Sequence, residues 1–259
     1  VARTAVLLTS GLPEQRYLVP QWPAPDNVLA VATKRDLGQP DLPPMAGFNL
    51  ARHVTDDEQR VHAHRCQLSL DLQLQQEPVW LHQVHGTGVV QLPLATRALA
   101  AADASTSAMP GQVCVVMTAD CLPVLFCDSH GTRVAAAHAG WRGLLAGVLE
   151  NTLSYFADPA DVMVWLGPAI GPLAFEVGDD VRQGFVSADA QASHYFVPCV
   201  HKPHKYLADI YGLARLRLRA CGVEQIYGGQ ECTLSQSQDY FSHRRDPASG
   251  RQASLITLL

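Results

Sequence analysis

The sequence predicts a mixed α/β fold of the α+β class, with mixed β-sheets layered with helices in a single compact domain, and three observations carry this. Short apolar, β-branched runs of strand length recur along the chain and end in turn residues. Between them lie segments whose apolar residues repeat at helical spacing. No Gly/Ser linker, charge block or low-complexity stretch divides the 259 residues, so the chain reads as one unit over 1–259, with a Pro-rich, elaborated N-terminal part over about 1–46.

In that N-terminal part Pro13, Pro20, Pro23, Pro25, Pro40, Pro43 and Pro44 leave room for one strand, 28–33, and little chemistry is visible. Residues 47–50 lead, as strand or turn, into a helix expected over about 55–70. Thr55 is its N-cap, Glu58 completes a capping box, and the acidic first turn suits the helix dipole. Residues 78–86, PVWLHQVHG, read as a strand. Side chains alternate faces along a strand, so His82 and His85, an odd number apart, point opposite ways and one of them faces a site.

Residues 113–117, 122–127 and 132–137 read as three strands. Thr118-Ala119-Asp120-Cys121 joins the first two and the turn composition Asp128-Ser129-His130-Gly131 closes the second. A helix then opens at Gly140-Trp141-Arg142-Gly143, with Leu144, Leu145, Val148, Leu149, Leu153 and Phe156 at helical spacing. Cys121 therefore falls where a strand meets a loop and His138 where a strand meets a helix, positions at which sites are usually built.

Strand 162–166 runs into a Gly/Pro-rich stretch, 167–172, a rigid loop suited either to wall a flat ligand or simply to make a tight connection. Glu176 follows as a first-turn acid of a helix reaching about residue 188. Leu207, Ile210, Tyr211, Ala214, Leu218 and Cys221 give a helix over 205–221, ended by Gly222 as C′ residue. A short strand at 224–227, a loop at Cys232-Thr233, a strand or loop at 240–246 and a last strand at 252–258 complete the chain.

The formal net charge of -5 and pI near 6.1, without a basic stripe or interleaved aromatics, argue against nucleic acid or a polybasic membrane contact and for small-molecule partners. No apolar stretch approaches the roughly 20 residues needed to span a bilayer. Cysteines 66, 114, 121, 127, 199, 221 and 232 are odd in number, widely spaced and free of any C-x-x-C pair, and no charged-then-apolar leader is seen. The expectation is a cytoplasmic protein with reduced thiols.

Five strings in order, HQVHG (82–86), TADCLPVLF (118–126), HAGWRG (138–143), LGPAIGPLAFEVG (166–178) and YFSHRRD (240–246), resemble the bacterial YfiH/YlmD-type family from about residue 47 to the C-terminus. That family is described both as multicopper polyphenol oxidases (laccases) and as zinc-dependent purine nucleoside phosphorylases with adenosine deaminase activity. The resemblance selects His85 over His82 and sets it with Cys121 and His138 as three metal ligands. Three ligands leave a fourth position open, as in catalytic zinc sites. The thiolate favours zinc over magnesium or calcium and leaves copper open. Zinc would supply an activated water for attack on C6 of adenine.

The same resemblance implies a purine nucleoside and phosphate as partners, and Glu176 joins Cys121 and His138 as a catalytic candidate. For phosphate, the backbone N–H groups that open the helix after His138 offer one side of a site, to which Arg142 adds a side chain, and Arg244 or Arg245 of the YFSHRRD string, whose guanidinium matches phosphate in bidentate fashion, offers the other. Where the family has an Asn-Arg pair in the 55–70 helix, this chain has His64-Arg65, so Arg65 alone is carried over, as a minor candidate. Two other classes of function stay open. A Cys121–His138 dyad would make a cysteine hydrolase with His85 surplus, and a metal-binding or redox scaffold would use copper for phenol oxidation.

Overall fold

Two β-sheets stacked face to face, with helices on both outer faces, frame the cavity of this protein. The computed structural model describes residues 4–38, 45–94 and 101–259, so the expectation for Pro40, Pro43 and Pro44 lies outside the described residues. The first sheet has the order β1 (Tyr17–Leu18), β2 (Val28–Thr33), β13 (Gln252–Leu258), β5 (Val113–Thr118) and is antiparallel. The second has the order β12 (Gln225–Gly228), β8 (Val162–Leu166), β6 (Leu122–Asp128), β7 (Val134–Ala139), β4 (Ala104–Ser107), β3 (Val89–Gln91). Its two edge pairs are parallel and its inner pairs antiparallel. A small third sheet joins β10 (Phe196–Pro198), β11 (Lys205–Ala208) and β9 (Glu176–Gly178).

Strand parity sorts the core into layers. Leu29, Val31, Val113, Val115 and Leu255 face outward onto α2 (Glu58–Asp71) and the Phe48–Leu50 segment. Ala30, Ala32, Cys114, Val116, Ile256 and Leu258 face inward and meet Leu125, Cys127, Val134, Ala136, Met163 and Trp165 of the second sheet. The far face of that sheet, with Val124, Phe126, Ala135, Ala137 and Val164, packs on α3 (Trp141–Ala146), α4 (Val148–Leu153), α5 (Asp179–Ala188) and α6 (Ile210–Ala220). Both faces of both sheets are covered, which is why the strands read as continuous apolar runs and not as alternating ones. Each fully buried Val, Leu or Ile contributes about 1.5–3 kcal/mol through its removal from water.

The strands expected at 28–33, 162–166 and 252–258 match β2, β8 and β13. The Pro-rich part also supplies α1 (Ala5–Thr9) and β1, and β2 lies inside the first sheet between β1 and β13. Other elements differ. Helix α2 starts at Glu58 with Asp57, not Thr55, as its N-cap, because the Asp57 carboxylate accepts the Arg60 N–H at 2.8 Å. Strand β7 starts at Val134 and runs through His138, since Thr132 is tied into the turn by its N–H to Asp128 at 2.7 Å. Helix 140–156 is two helices, broken at Gly147, whose φ of 104° no helix accommodates.

Three more expectations are corrected. Residues 78–86 form no strand and make isolated bridges at Val79 and His82. The helix expected from 205 begins at Ile210, capped by Asp209, because residues 205–208 are drawn into the third sheet between β9 and β10. Glu176 likewise lies on β9, and Asp179 and Asp180 are the first-turn acids of α5. Residues 240–246 are turn and loop. Among the described residues no helix is long and apolar enough to cross a membrane.

Candidate metal centre and substrate cavity

The chain passes from one sheet to the other between β5 and β6, and Cys121 sits on that crossing. The crossing is tight: Asp120 has φ 90°, a conformation that costs a residue with a side chain about 1–3 kcal/mol and persists only when neighbours enforce it. The enforcement is visible. Its carboxylate accepts the Thr233 hydroxyl and the Arg244 N–H, each at 2.6 Å, and its carbonyl accepts the Ile170 N–H at 2.9 Å.

His138 lies on β7 with the parity of Val134 and Ala136, so it points into the space between the sheets. His85 is presented by a turn, with φ 59°, and not by a strand face. What holds that turn is Asp103, just before β4. Its buried carboxylate accepts the N–H groups of Val84, His85 and Gly86 at 3.2, 2.9 and 2.7 Å. The same carboxylate lies 2.8 Å from His138 Nδ1 and accepts its proton, so that a neutral His138 turns its Nε2 lone pair towards Cys121 and a metal. Nothing in the sequence around Asp103 marks it, since its partners lie 17 to 35 positions away.

These elements bring His85, Cys121 and His138 together: one ligand-capable atom from each lies within 4.8 Å of the others, with His85 exposed, Cys121 half-buried and His138 buried. Cys121 Sγ is 3.9 Å from His85 Nε2, and the two imidazole rings meet edge to face with centroids 4.8 Å apart. Ligands about 2.0–2.3 Å from a tetrahedral zinc stand ~3.3–3.6 Å from one another, so the trio fits a metal with small adjustments. Gly140 backs it. A Cβ there would come within 3.0 Å of both Cys121 Sγ and His85 Cδ2 and 3.6 Å of His138 Nε2. At Gly143 a Cβ would lie 2.8 Å from the Gly86 carbonyl, so α3 abuts the His85 turn.

Electrostatics prepare the ligands. Burial disfavours the Cys121 thiolate, yet His138 and His85 outweigh it and draw the thiol below its ordinary range. Burial likewise disfavours charge on His138, and Cys121 and Asp103 reverse that and push it up. A thiolate at neutral pH is the form a metal takes.

The trio stands in the wall of a cavity of about 1210 Å³, ample for a nucleoside with an oxyanion beside it. Arg65 lines it, as do Arg52, His53, His82, Trp80, His243 and Arg251, of which sequence reasoning singled out only Arg65 and His82. Other expected residues stand elsewhere. Arg142 is exposed and stacks on Trp141 at 4.4 Å. Arg244 donates to the Glu176 carbonyl at 3.0 Å. Arg245 spends its guanidinium on the carbonyls of Thr233, Leu234 and Tyr240 at 2.8, 3.0 and 2.7 Å. Glu176 pairs with Lys202 at 2.7 Å. None of these four is in the cavity lining, and neither is the 167–172 loop, which braces the Asp120 crossing from behind.

Comparison with known proteins matches residues 29–259 to the family described as multi-copper polyphenol oxidoreductase laccase. The chain is 53% identical over 245 residues to the purine nucleoside phosphorylase YfiH of Escherichia coli, covering 94% of this chain and 99% of that protein. It is 52% identical to a purine nucleoside phosphorylase of Pseudomonas aeruginosa, covering 93% and 98%. Among solved structures, a Neisseria meningitidis protein superposes with a TM-score of 0.88 at 44% identity, covering 94% and 99%.

Proposed function

The chain belongs to the multi-copper polyphenol oxidoreductase laccase family, and from that premise we propose that it is a zinc-dependent purine nucleoside phosphorylase with adenosine deamination as a second activity of the same centre. One observation carries the reading: a three-ligand cluster with an open side faces a cavity large enough for a nucleoside and phosphate together. The names of the relatives support phosphorolysis over phenol oxidation. The donor set of one thiolate and two imidazoles suits zinc, with copper as the alternative.

Zinc held by His85, Cys121 and His138 would act as a Lewis acid. The protein's own groups do the rest. Asp103 fixes the tautomer and ring orientation of His138, and through the Val84, His85 and Gly86 amides it fixes the turn that presents His85. Cys121 serves as a ligand, its charge engaged by the metal, and not as an attacking nucleophile. In phosphorolysis an oxygen of orthophosphate bonds to C1′ as the C1′–N9 bond breaks, and the purine leaves with a proton. In deamination water adds at C6 and ammonia leaves.

Incubation of the metal-loaded protein with inosine, with and without orthophosphate, tests this. Hypoxanthine and ribose 1-phosphate are expected in equal amounts and only with phosphate. Hypoxanthine release that ignores phosphate would make the protein a hydrolase, and no release with any purine nucleoside would overturn the reading.

A further inference from the structure

Although the chain carries a formal net charge of -5, its cavity is lined by three arginines, five histidines and, among the described residues, a single carboxylate, Glu77. Among the described residues Arg52, Arg65 and Arg251 form no ion pair, and Arg52 makes no hydrogen bond at all. Arg65 is buried, stacked 3.8 Å over the Trp80 ring with Nε on the Leu50 carbonyl at 2.9 Å, and its two terminal nitrogens have no partner. Arg251 is anchored by Nη1 to the carbonyls of Ser249 and Gly250 at 2.5 and 3.0 Å, which again leaves Nη2. Thr118 and Trp80 are also in the lining, and Thr118 Oγ1 and Trp80 Nε1 are buried without a partner.

These cations are near enough to oppose one another. Burial and then the charge of Arg52, only partly offset by Glu77, hold Arg65 down to about 10, and burial followed by Arg251 and Arg65 holds His53 below its ordinary value. Arg251 in turn senses the negative charge of Cys121 and Asp120. All four residues line the cavity that the metal trio also borders. Like charges gathered around the buried Arg65 oppose one another, and a doubly charged oxyanion among them would turn that repulsion into charge-assisted hydrogen bonds.

We propose that Arg52, His53, Arg65 and Arg251 form the subsite that holds orthophosphate beside the metal centre, an inference that rests on the phosphorylase reading. It takes the place of the assignment of phosphate to Arg142, Arg244 and Arg245. Arg52 is the informative position, because it is exposed and its side chain supports nothing else in the fold.

Orthophosphate binding to the metal-loaded protein, followed by calorimetry without nucleoside, is the test. Arg52→Ala is expected to weaken it about tenfold and Arg52→Glu further, with metal content unchanged, while Arg244→Ala stays within about twofold of the parent. Arg65→Met keeps the apolar stem over Trp80 and is expected to weaken phosphate similarly. Binding that is unchanged in Arg52→Glu and Arg65→Met overturns the proposal. Adenosine 5′-monophosphate forms a second arm: if it binds through Arg52 while orthophosphate shows no saturable binding, the cluster serves a nucleotide's phosphoryl group and the proposal falls. If orthophosphate binds through Arg52 but no nucleoside is cleaved, the anion site stands and the phosphorylase reading falls.

Discussion

Asp103 Oδ1 lies 2.8 Å from His138 Nδ1 while the same carboxylate takes the N–H groups that shape the His85 turn, so one buried side chain sets two of the three candidate ligands. Asp103→Asn keeps the shape but presents an amide where four donors converge, and at least one of them loses its acceptor. Metal affinity is expected to fall about 10- to 100-fold, measured by competition with a chelator. An affinity equal to that of the parent would mean that Asp103 only stabilises the fold.

Cys121 carries a pH prediction. Burial raises its pKa, but His138 and His85 more than compensate, and in the metal-free protein the thiol is drawn down to about 6. Alkylation at Cys121, read from its peptide by mass spectrometry, is expected to rise through a midpoint near that value, and metal should block it. Metal binding should weaken as pH falls through the same range, since the thiolate is then reprotonated. No acyl or glycosyl adduct should accumulate on Cys121 with substrate; such an adduct would support a Cys121–His138 hydrolase instead.

How much of this was legible in the sequence depended on the range of the forces involved. Strands β2, β8 and β13 were readable because double-sided burial imposes apolar runs that need no knowledge of the neighbours. Leu207 fits a helical repeat, yet its backbone pairs with Glu176, and periodicity does not register a competing sheet. Cys121 and His138 stood out as reactive side chains at element ends, whereas His85 needed the resemblance to be chosen over His82. Asp103, Arg52 and Arg251 carried no local signal: their meaning comes from partners distant in sequence.

Gly140 lies where any side chain meets the metal trio, so Gly140→Ala should force Cys121 Sγ and His85 apart by several tenths of an ångström. Overpacking of this kind costs about 1–3 kcal/mol. At the metal centre it should appear as a tenfold or greater loss of affinity, measured by chelator competition. Unchanged metal binding would mean that the trio relaxes away from Gly140 when the ion enters.

Arg244 and Arg245 share a motif, but the structure separates them by where their atoms go. Arg244 supports the Asp120 crossing through its backbone N–H, which any residue but proline supplies, and its side chain adds only an exposed hydrogen bond to the Glu176 carbonyl, so Arg244→Ala should cost little stability. Arg245 clamps three carbonyls with its guanidinium fork, holding 233–240 in the position from which the Thr233 hydroxyl pins Asp120. Arg245→Ala leaves those carbonyls short of donors and should cost about 2–3 kcal/mol in denaturant unfolding. Lysine should recover little of this, because one ammonium cannot reproduce the fork. Metal affinity should weaken as a secondary effect, through the loosened Asp120 turn, while orthophosphate binding to the folded fraction stays near that of the parent. The reverse result, intact stability with orthophosphate binding lost, would make Arg245 a phosphate ligand that reorients when substrate enters.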